Sequence, residues 1–175
     1  MAAFHKGEFT HSLKGGVVAG IIGGIVIALL LLASSLLMGM DPWPAMKGAG
    51  APFLGERAMR PGFDGLALVV GVICHFAVSI GWGILFGLLF YGLSHAATLG
   101  AGVLWGLVVW LGMYYVILPI VGLGKMAEGA PMWRAALYHV IFGVAVALGF
   151  LPYQRRVHRT ARALPTGTPT TPTVS

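Results

Sequence analysis

The chain has 175 residues, of which 58% are hydrophobic and only 9% are charged, and its mean hydropathy is +0.88. Soluble domains carry about 25% charged residues, so the composition excludes a water-soluble globular enzyme. Cys74 is the only cysteine, which excludes a disulfide scaffold and the usual cysteine clusters of zinc and iron–sulfur sites. No Asp, Glu, Lys or Arg occurs from Gly65 to Gly124. These features predict a membrane protein.

Four apolar stretches are long enough to cross a bilayer, for which a helix needs about 20 residues. They cover approximately residues 15–40, 66–90, 101–121 and 132–151. The apolar run at 17–38 is longer than the about 7–15 residues of a signal-peptide core, so the first stretch is predicted to be a retained helix. The predicted fold is an all-α membrane protein, a four-transmembrane-helix bundle built from two hairpins.

The basic residues predict the orientation of this bundle, because Lys and Arg are enriched on the cytoplasmic side. Lys6 and Lys14 precede the first span, and four unpaired arginines follow the fourth: Arg155, Arg156, Arg159 and Arg162. We therefore expect segments 1–14 and 152–175 to be cytoplasmic and the four arginines to contact anionic lipid headgroups. The protein is predicted to be a multi-pass protein of the bacterial inner membrane, and its net charge of +6 needs no nucleic-acid partner.

Small residues recur at four-residue spacing in every span. They are Gly16, Gly20 and Gly24 in the first, Gly71, Ser79, Gly83 and Gly87 in the second, Gly102 and Gly106 in the third, and Gly143 in the fourth. Helices in lipid associate through close backbone approach at such residues, so these positions are predicted to pack helix against helix. The spacing does not distinguish contacts within one chain from contacts between chains.

Two histidines lie within these small-residue faces at similar depth. His75 is about nine residues and His139 about seven residues below the outer start of its span, which is some 10–14 Å at 1.5 Å per residue. An ionisable residue inside a span indicates function by default. Three interpretations stay open: neutral imidazoles that hydrogen-bond across a helix interface, ligands of a haem b or a pigment, and a proton or metal path. No Asp or Glu lies in a span to support the last.

The sequence contains no catalytic constellation, since no Ser–His–Asp set, paired carboxylates or phosphate-binding glycine loop is present. We therefore predict no catalytic residues, no enzymatic activity and no metal site. The Thr/Pro-rich tail at 165–175 has no hydrophobic run and is predicted to be extended unless a partner orders it.

Short motifs are spread over about residues 15–151: the glycine-rich first span, Asp41-Pro-Trp followed by Lys47, His75 followed by Ser79 and the Gly83/Gly87 pair, Trp110 with Pro119, and His139 with Phe142-Gly143. In these motifs the chain resembles a group of small four-helix bacterial inner-membrane proteins classed as a domain of unknown function. The resemblance implies a four-helix bundle and no particular activity.

Three functions are compatible with these observations. The leading hypothesis is an accessory integral-membrane subunit that stabilises a larger respiratory or photosynthetic electron-transfer complex of the inner membrane, with lipids and other membrane subunits as its partners. The alternative is a small haem b electron-transfer protein with His75 and His139 as axial ligands. The third is a small transporter or channel, against which the lack of charged residues in the spans counts.

Overall fold

The structure, a computed structural model, describes residues 6–124 and 131–154. The described residues are almost entirely helical and include no strand. Four helices are long and apolar enough to span a membrane: α1 Lys6–Leu37, α2 Gly65–Phe90, α3 His95–Gly112 and α4 Met132–Phe150. The predicted all-helical fold with four spans is therefore confirmed.

Two helices begin earlier than predicted. α1 begins at Lys6, so most of the segment predicted as an N-terminal tail is helical. α3 begins at His95, ahead of the predicted start at about residue 101, because the Ser94 hydroxyl accepts a hydrogen bond from the Ala97 N–H and caps the helix. Hydropathy marks where the apolar part of a helix begins, and the helical backbone extends beyond it.

Several charged residues and the tail lie outside the described residues. They are Lys125 and Glu128 in the connection between α3 and α4, the four arginines Arg155, Arg156, Arg159 and Arg162, and the Thr/Pro-rich segment 165–175. The predictions of lipid-headgroup contacts and of an extended tail fall on these residues.

The helices stand in the spatial order α2, α1, α4, α3. α1 packs against α2 on one side and against α4 on the other, and α3 packs mainly on α4. Although α2 and α3 follow each other in sequence, few contacts join them. The start of α1, the α2–α3 turn and the end of α4 lie at one end of the bundle, here called the terminal end. The opposite end, with residues 38–64, is here called the loop end.

Small residues on two faces explain why α1 is central. Toward α2, Gly16 and Gly20 meet the backbone at Gly83, where an added Cβ on Gly83 would lie 2.5 Å from the Cα of Gly20. Toward α4, an added Cβ on Gly23 would lie 2.8 Å from the ring of Phe142. Neighbouring helices can approach this closely only where no side chain separates their backbones.

Most of the other predicted packing residues also lie at helix contacts. Gly24 lies against Ser79, and Gly87 lies against the backbone of Ser12, whose hydroxyl donates to the Gly87 carbonyl at 2.7 Å. Between α3 and α4, Gly102, Gly106 and Gly143 bring the two backbones into contact. Gly71 differs, because it packs under the loop, where an added Cβ would lie 2.5 Å from the Met46 carbonyl oxygen.

Gln154 connects the α2–α3 turn to the end of α4. Its buried side chain accepts a hydrogen bond from the Gly92 N–H at 2.8 Å and donates to the Phe90 carbonyl at 2.9 Å and the Thr98 hydroxyl at 2.7 Å. Gln154 belongs to the predicted cytoplasmic segment 152–175, and its neighbours in sequence do not indicate this role. This network holds the terminal end of the bundle closed.

We expect Gly83→Leu to lower the free energy of unfolding by about 1–3 kcal/mol, because the new side chain would collide with the α1 backbone. Gly81→Leu is the matched control, since nothing lies within 4 Å of an added Cβ there and the change in helix propensity is the same. Unfolding monitored by circular dichroism in detergent measures both variants. Equal effects would contradict the packing described here.

Candidate functional site

A cavity of about 660 Å³ opens between α2 and α3, where few contacts join these helices. Its volume lies within the roughly 300–1,000 Å³ typical of ligand pockets. The walls come from the loop-end halves of all four helices and from the loop. Within the described part of the chain, no Asp, Glu, Lys or Arg lines the cavity. The surroundings therefore favour an uncharged occupant.

Aromatic rings close the cavity toward the terminal end. Trp82 on α2 and Trp105 on α3 meet edge to face, with ring centroids 5.6 Å apart. Trp105 also contacts Phe86 and Phe90, at 6.0 and 5.7 Å between centroids. The indole N–H of Trp82 donates to the sulfur of Met113 at 3.5 Å. This aromatic cluster joins α2 to α3 and forms the floor of the cavity at Trp82.

The loop covers the cavity at the loop end. It contains three short helices, Trp43–Lys47, Ala51–Leu54 and Glu56–Met59, and a 3₁₀ turn at Gly48–Gly50. Pro52 and Phe53 line the cavity together with residues of the 3₁₀ turn. The loop is therefore a structured roof whose position depends on its own internal bonds.

Lys47 holds this roof together from inside. Its side chain is completely buried, and its ammonium group donates to the carbonyl oxygens of Arg60 and Gly62, both at 2.7 Å. The Asp41 carboxylate accepts hydrogen bonds from the backbone N–H groups of Gly62 and Trp43, and these bonds lower the pKa of Asp41. The Asp41 and Lys47 side chains therefore fix the two ends of the loop to each other.

Asp64 joins the roof to α2. Its carboxylate caps the helix by accepting from the Ala67 N–H at 3.1 Å, and it pairs with the Arg57 guanidinium at 2.7 Å. The Arg57 hydrogen bond, aided by the Ala67 N–H, lowers the pKa of Asp64 from 3.8 to about 2. The contacts of Asp64 in the folded protein therefore favour its ionised form.

Beyond Gly112 the third spanning helix continues through a π-helical turn at Met113–Ile117 beside the cavity and ends at Ile120. Pro119 follows the π-helical turn and has no N–H to bond the carbonyl four residues earlier, at Tyr115. Met113, Tyr114 and Ile117 of this segment line the cavity. Single π-turns inside α-helices are frequent at functional sites, and this one occurs where α3 separates from α2.

Both candidate histidines line the cavity, and each is held by a backbone carbonyl. Nε2 of His75 lies 2.9 Å from the Gly24 carbonyl oxygen on α1. Nδ1 of His139 lies 2.8 Å from the Ala135 carbonyl oxygen, one turn earlier in α4. The structure therefore brings both side chains to one cavity, with one nitrogen of each ring already bonded.

The alternative of a haem b held by His75 and His139 stays a prediction. Ligation through Nε2 of His75 would require the hydrogen bond to Gly24 to break. Among the described residues, no group of three or more His, Cys, Asp or Glu side chains is arranged to hold a metal ion.

The aromatic residues around His139 restrict its ring. Tyr114 meets the imidazole edge to face, with centroids 5.8 Å apart, and Trp110 lies 6.4 Å from Tyr114. In the described residues, the fully buried side-chain N–H groups without a hydrogen-bond partner are those of Trp105 and Trp110. His139 thus has a defined orientation in the cavity wall.

Comparisons with protein-family models, with curated proteins and with solved structures give no match. The resemblance to a family of small four-helix inner-membrane proteins therefore stays a prediction.

We expect the Arg57–Asp64 pair to stabilise the roof above pH 3.8 and to lose its effect as the pH falls toward 2, because Asp64 protonates there. Asp64→Asn removes the charge and keeps a capping side chain. The melting temperature of the wild-type protein should exceed that of the variant most clearly above pH 4, and the difference should disappear as the pH falls below about 2. A difference that does not depend on pH would contradict the assigned role of the charge.

Proposed function

We propose that this protein is a membrane-embedded binding protein that takes up an apolar small molecule from the bilayer through the opening between α2 and α3. The cavity of about 660 Å³ carries the proposal. It has the size of a ligand pocket, an apolar lining and a position on the side of the bundle where two neighbouring helices separate.

Some residues that line the cavity are also exposed on the outside of the bundle, and they support entry of the ligand from the lipid. Ile73 and Val78 on α2 line the cavity, and they are 63% and 40% exposed. Val121 on the other side of the opening also lines the cavity and is 38% exposed. Because these side chains are apolar, a molecule can move from lipid into the cavity without meeting a charged barrier.

Binding accounts for the cavity better than passage across the membrane does. On α2 the lining ends at Trp82, where the aromatic cluster joins α2 to α3. No residue of the described α2–α3 turn lines the cavity. A cavity that ends inside the bundle and opens sideways suits a bound molecule.

The accessory-subunit hypothesis stays a prediction. Exposed apolar side chains cover the outer faces of the spanning helices, and such faces suit lipid and a partner subunit equally. We also propose, from the distribution of Lys and Arg in the sequence, that both termini are cytoplasmic and that the membrane is the bacterial inner membrane.

We expect Ala77→Trp to reduce binding about tenfold or more, because Ala77 lines the cavity on the exposed side of α2 and an indole there would occupy the entrance. Leu85→Trp is the matched control, since Leu85 is on the same helix, 46% exposed and outside the cavity lining. Native mass spectrometry of each protein, released from mild detergent, measures the bound small molecule. Equal occupancy of both variants and the wild type, or no bound molecule in any of them, would overturn the proposal.

A further inference from the structure

We infer that the ligand is a neutral lipid-soluble molecule that carries a hydroxyl group, and that this hydroxyl donates a hydrogen bond to Nε2 of His139. The inference rests on the proposed function, and it adds the chemical class of the ligand. It follows from the hydrogen bond that His139 already makes and from the lining of the cavity.

The bond to Ala135 determines which nitrogen of His139 carries the hydrogen. A carbonyl oxygen can only accept a hydrogen bond, so Nδ1, at 2.8 Å from the Ala135 oxygen, must be the donor. In a neutral imidazole the other nitrogen is then an acceptor. Nε2 of His139 therefore presents a lone pair and cannot donate to a ligand.

Nε2 of His139 is available to a ligand. It has no hydrogen-bond partner among the described residues, and it is not one of their fully buried unpaired groups, which belong to Trp105 and Trp110. His139 lines the cavity, and the proposal places this accessible nitrogen at the cavity surface. The edge contact with Tyr114 and the bond to Ala135 hold the ring in this orientation.

The hydrogen bond of His75 fixes its tautomer in the same way. Nε2 of His75 bonds the Gly24 carbonyl and so carries the hydrogen, which leaves Nδ1 of the neutral ring as an acceptor. Both histidines thus offer lone pairs, and a ligand that only accepts hydrogen bonds, such as a ketone or an ether, gains nothing from them. A hydroxyl group supplies the donor that they lack.

The lining also indicates that the ligand has no charge. Within the described residues, no Lys or Arg lines the cavity to pair with a phosphate, and no Asp or Glu lines it to pair with an amine. Burying an unpaired ion in such surroundings is costly. A neutral alcohol or hydroquinone with a long apolar chain has the required chemistry.

The test compares two probes that differ by one hydrogen-bond donor, geranylgeraniol and its methyl ether. Binding to the purified full-length protein in detergent is measured by quenching of tryptophan fluorescence. We expect the wild-type protein to bind the alcohol roughly 2- to 10-fold more tightly, the usual net effect of one hydrogen bond. His139→Leu should bind both probes with the affinity of the ether, and His95→Leu, the same substitution at an exposed residue outside the cavity lining, should keep the preference.

A second pair of probes distinguishes two sources of the hydroxyl. Decylubiquinol has two phenolic hydroxyls, and decylubiquinone is its oxidised form without them. If the wild-type protein prefers the quinol to the quinone by a larger factor than it prefers geranylgeraniol to its methyl ether, the result supports an aromatic hydroxyl. A smaller factor supports an aliphatic hydroxyl. Both results agree with donation to His139 if the preference disappears in His139→Leu.

Three results would contradict the proposals, and each of them contradicts a different claim. Equal binding of the donor and non-donor probes by the wild-type protein overturns the inference and leaves the proposed function intact. This comparison needs no variant and so does not depend on the folding of His139→Leu. A preference that persists in folded His139→Leu overturns the role of His139. Binding of no probe at all overturns the proposed function itself.

Discussion

Close backbone contact at small residues is the constraint on which the rest of this structure depends. In lipid the hydrophobic effect does not drive helices together, so each helix packs where its backbone is accessible. α1 has such positions on two faces, at Gly16 and Gly20 toward α2 and at Gly23 toward α4, whereas α3 uses Gly102 and Gly106 toward α4. No comparable strip joins α2 to α3, and these helices are held mainly by aromatic rings near the terminal end.

The cavity is a consequence of that arrangement. Below it, the Trp82–Trp105 contact and the Gln154 network hold α2, α3 and α4 together. Above it, the α2–α3 contact is missing and the loop takes its place, pinned by the buried Lys47 and by the Asp64 cap on α2. The π-turn at Met113–Ile117 lies at the level where α3 separates from α2. Floor, roof and opening thus have separate physical causes.

The four spans and the helix-packing glycines were predictable because hydropathy and four-residue spacing are local patterns. The order of the helices was not, since Gly16 and Gly102 each begin the same Gly-x-x-x-Gly spacing but meet different helices. The sequence also predicted that His75 and His139 lie at similar depth. It did not predict their backbone partners, which depend on how α1 and α4 pack. The structural roles of Lys47 and Gln154 were not predictable for a similar reason. The burial of each side chain depends on carbonyls or N–H groups that are distant in sequence.

The most direct test of this account is an experimental structure of the protein purified with its native lipids, at a resolution that shows side chains. We predict that α2 and α3 stand apart at the level of Val78 and that an elongated density occupies the cavity, with one end within hydrogen-bond distance of Nε2 of His139. Direct packing of α2 against α3 at that level, with the cavity closed, would contradict it.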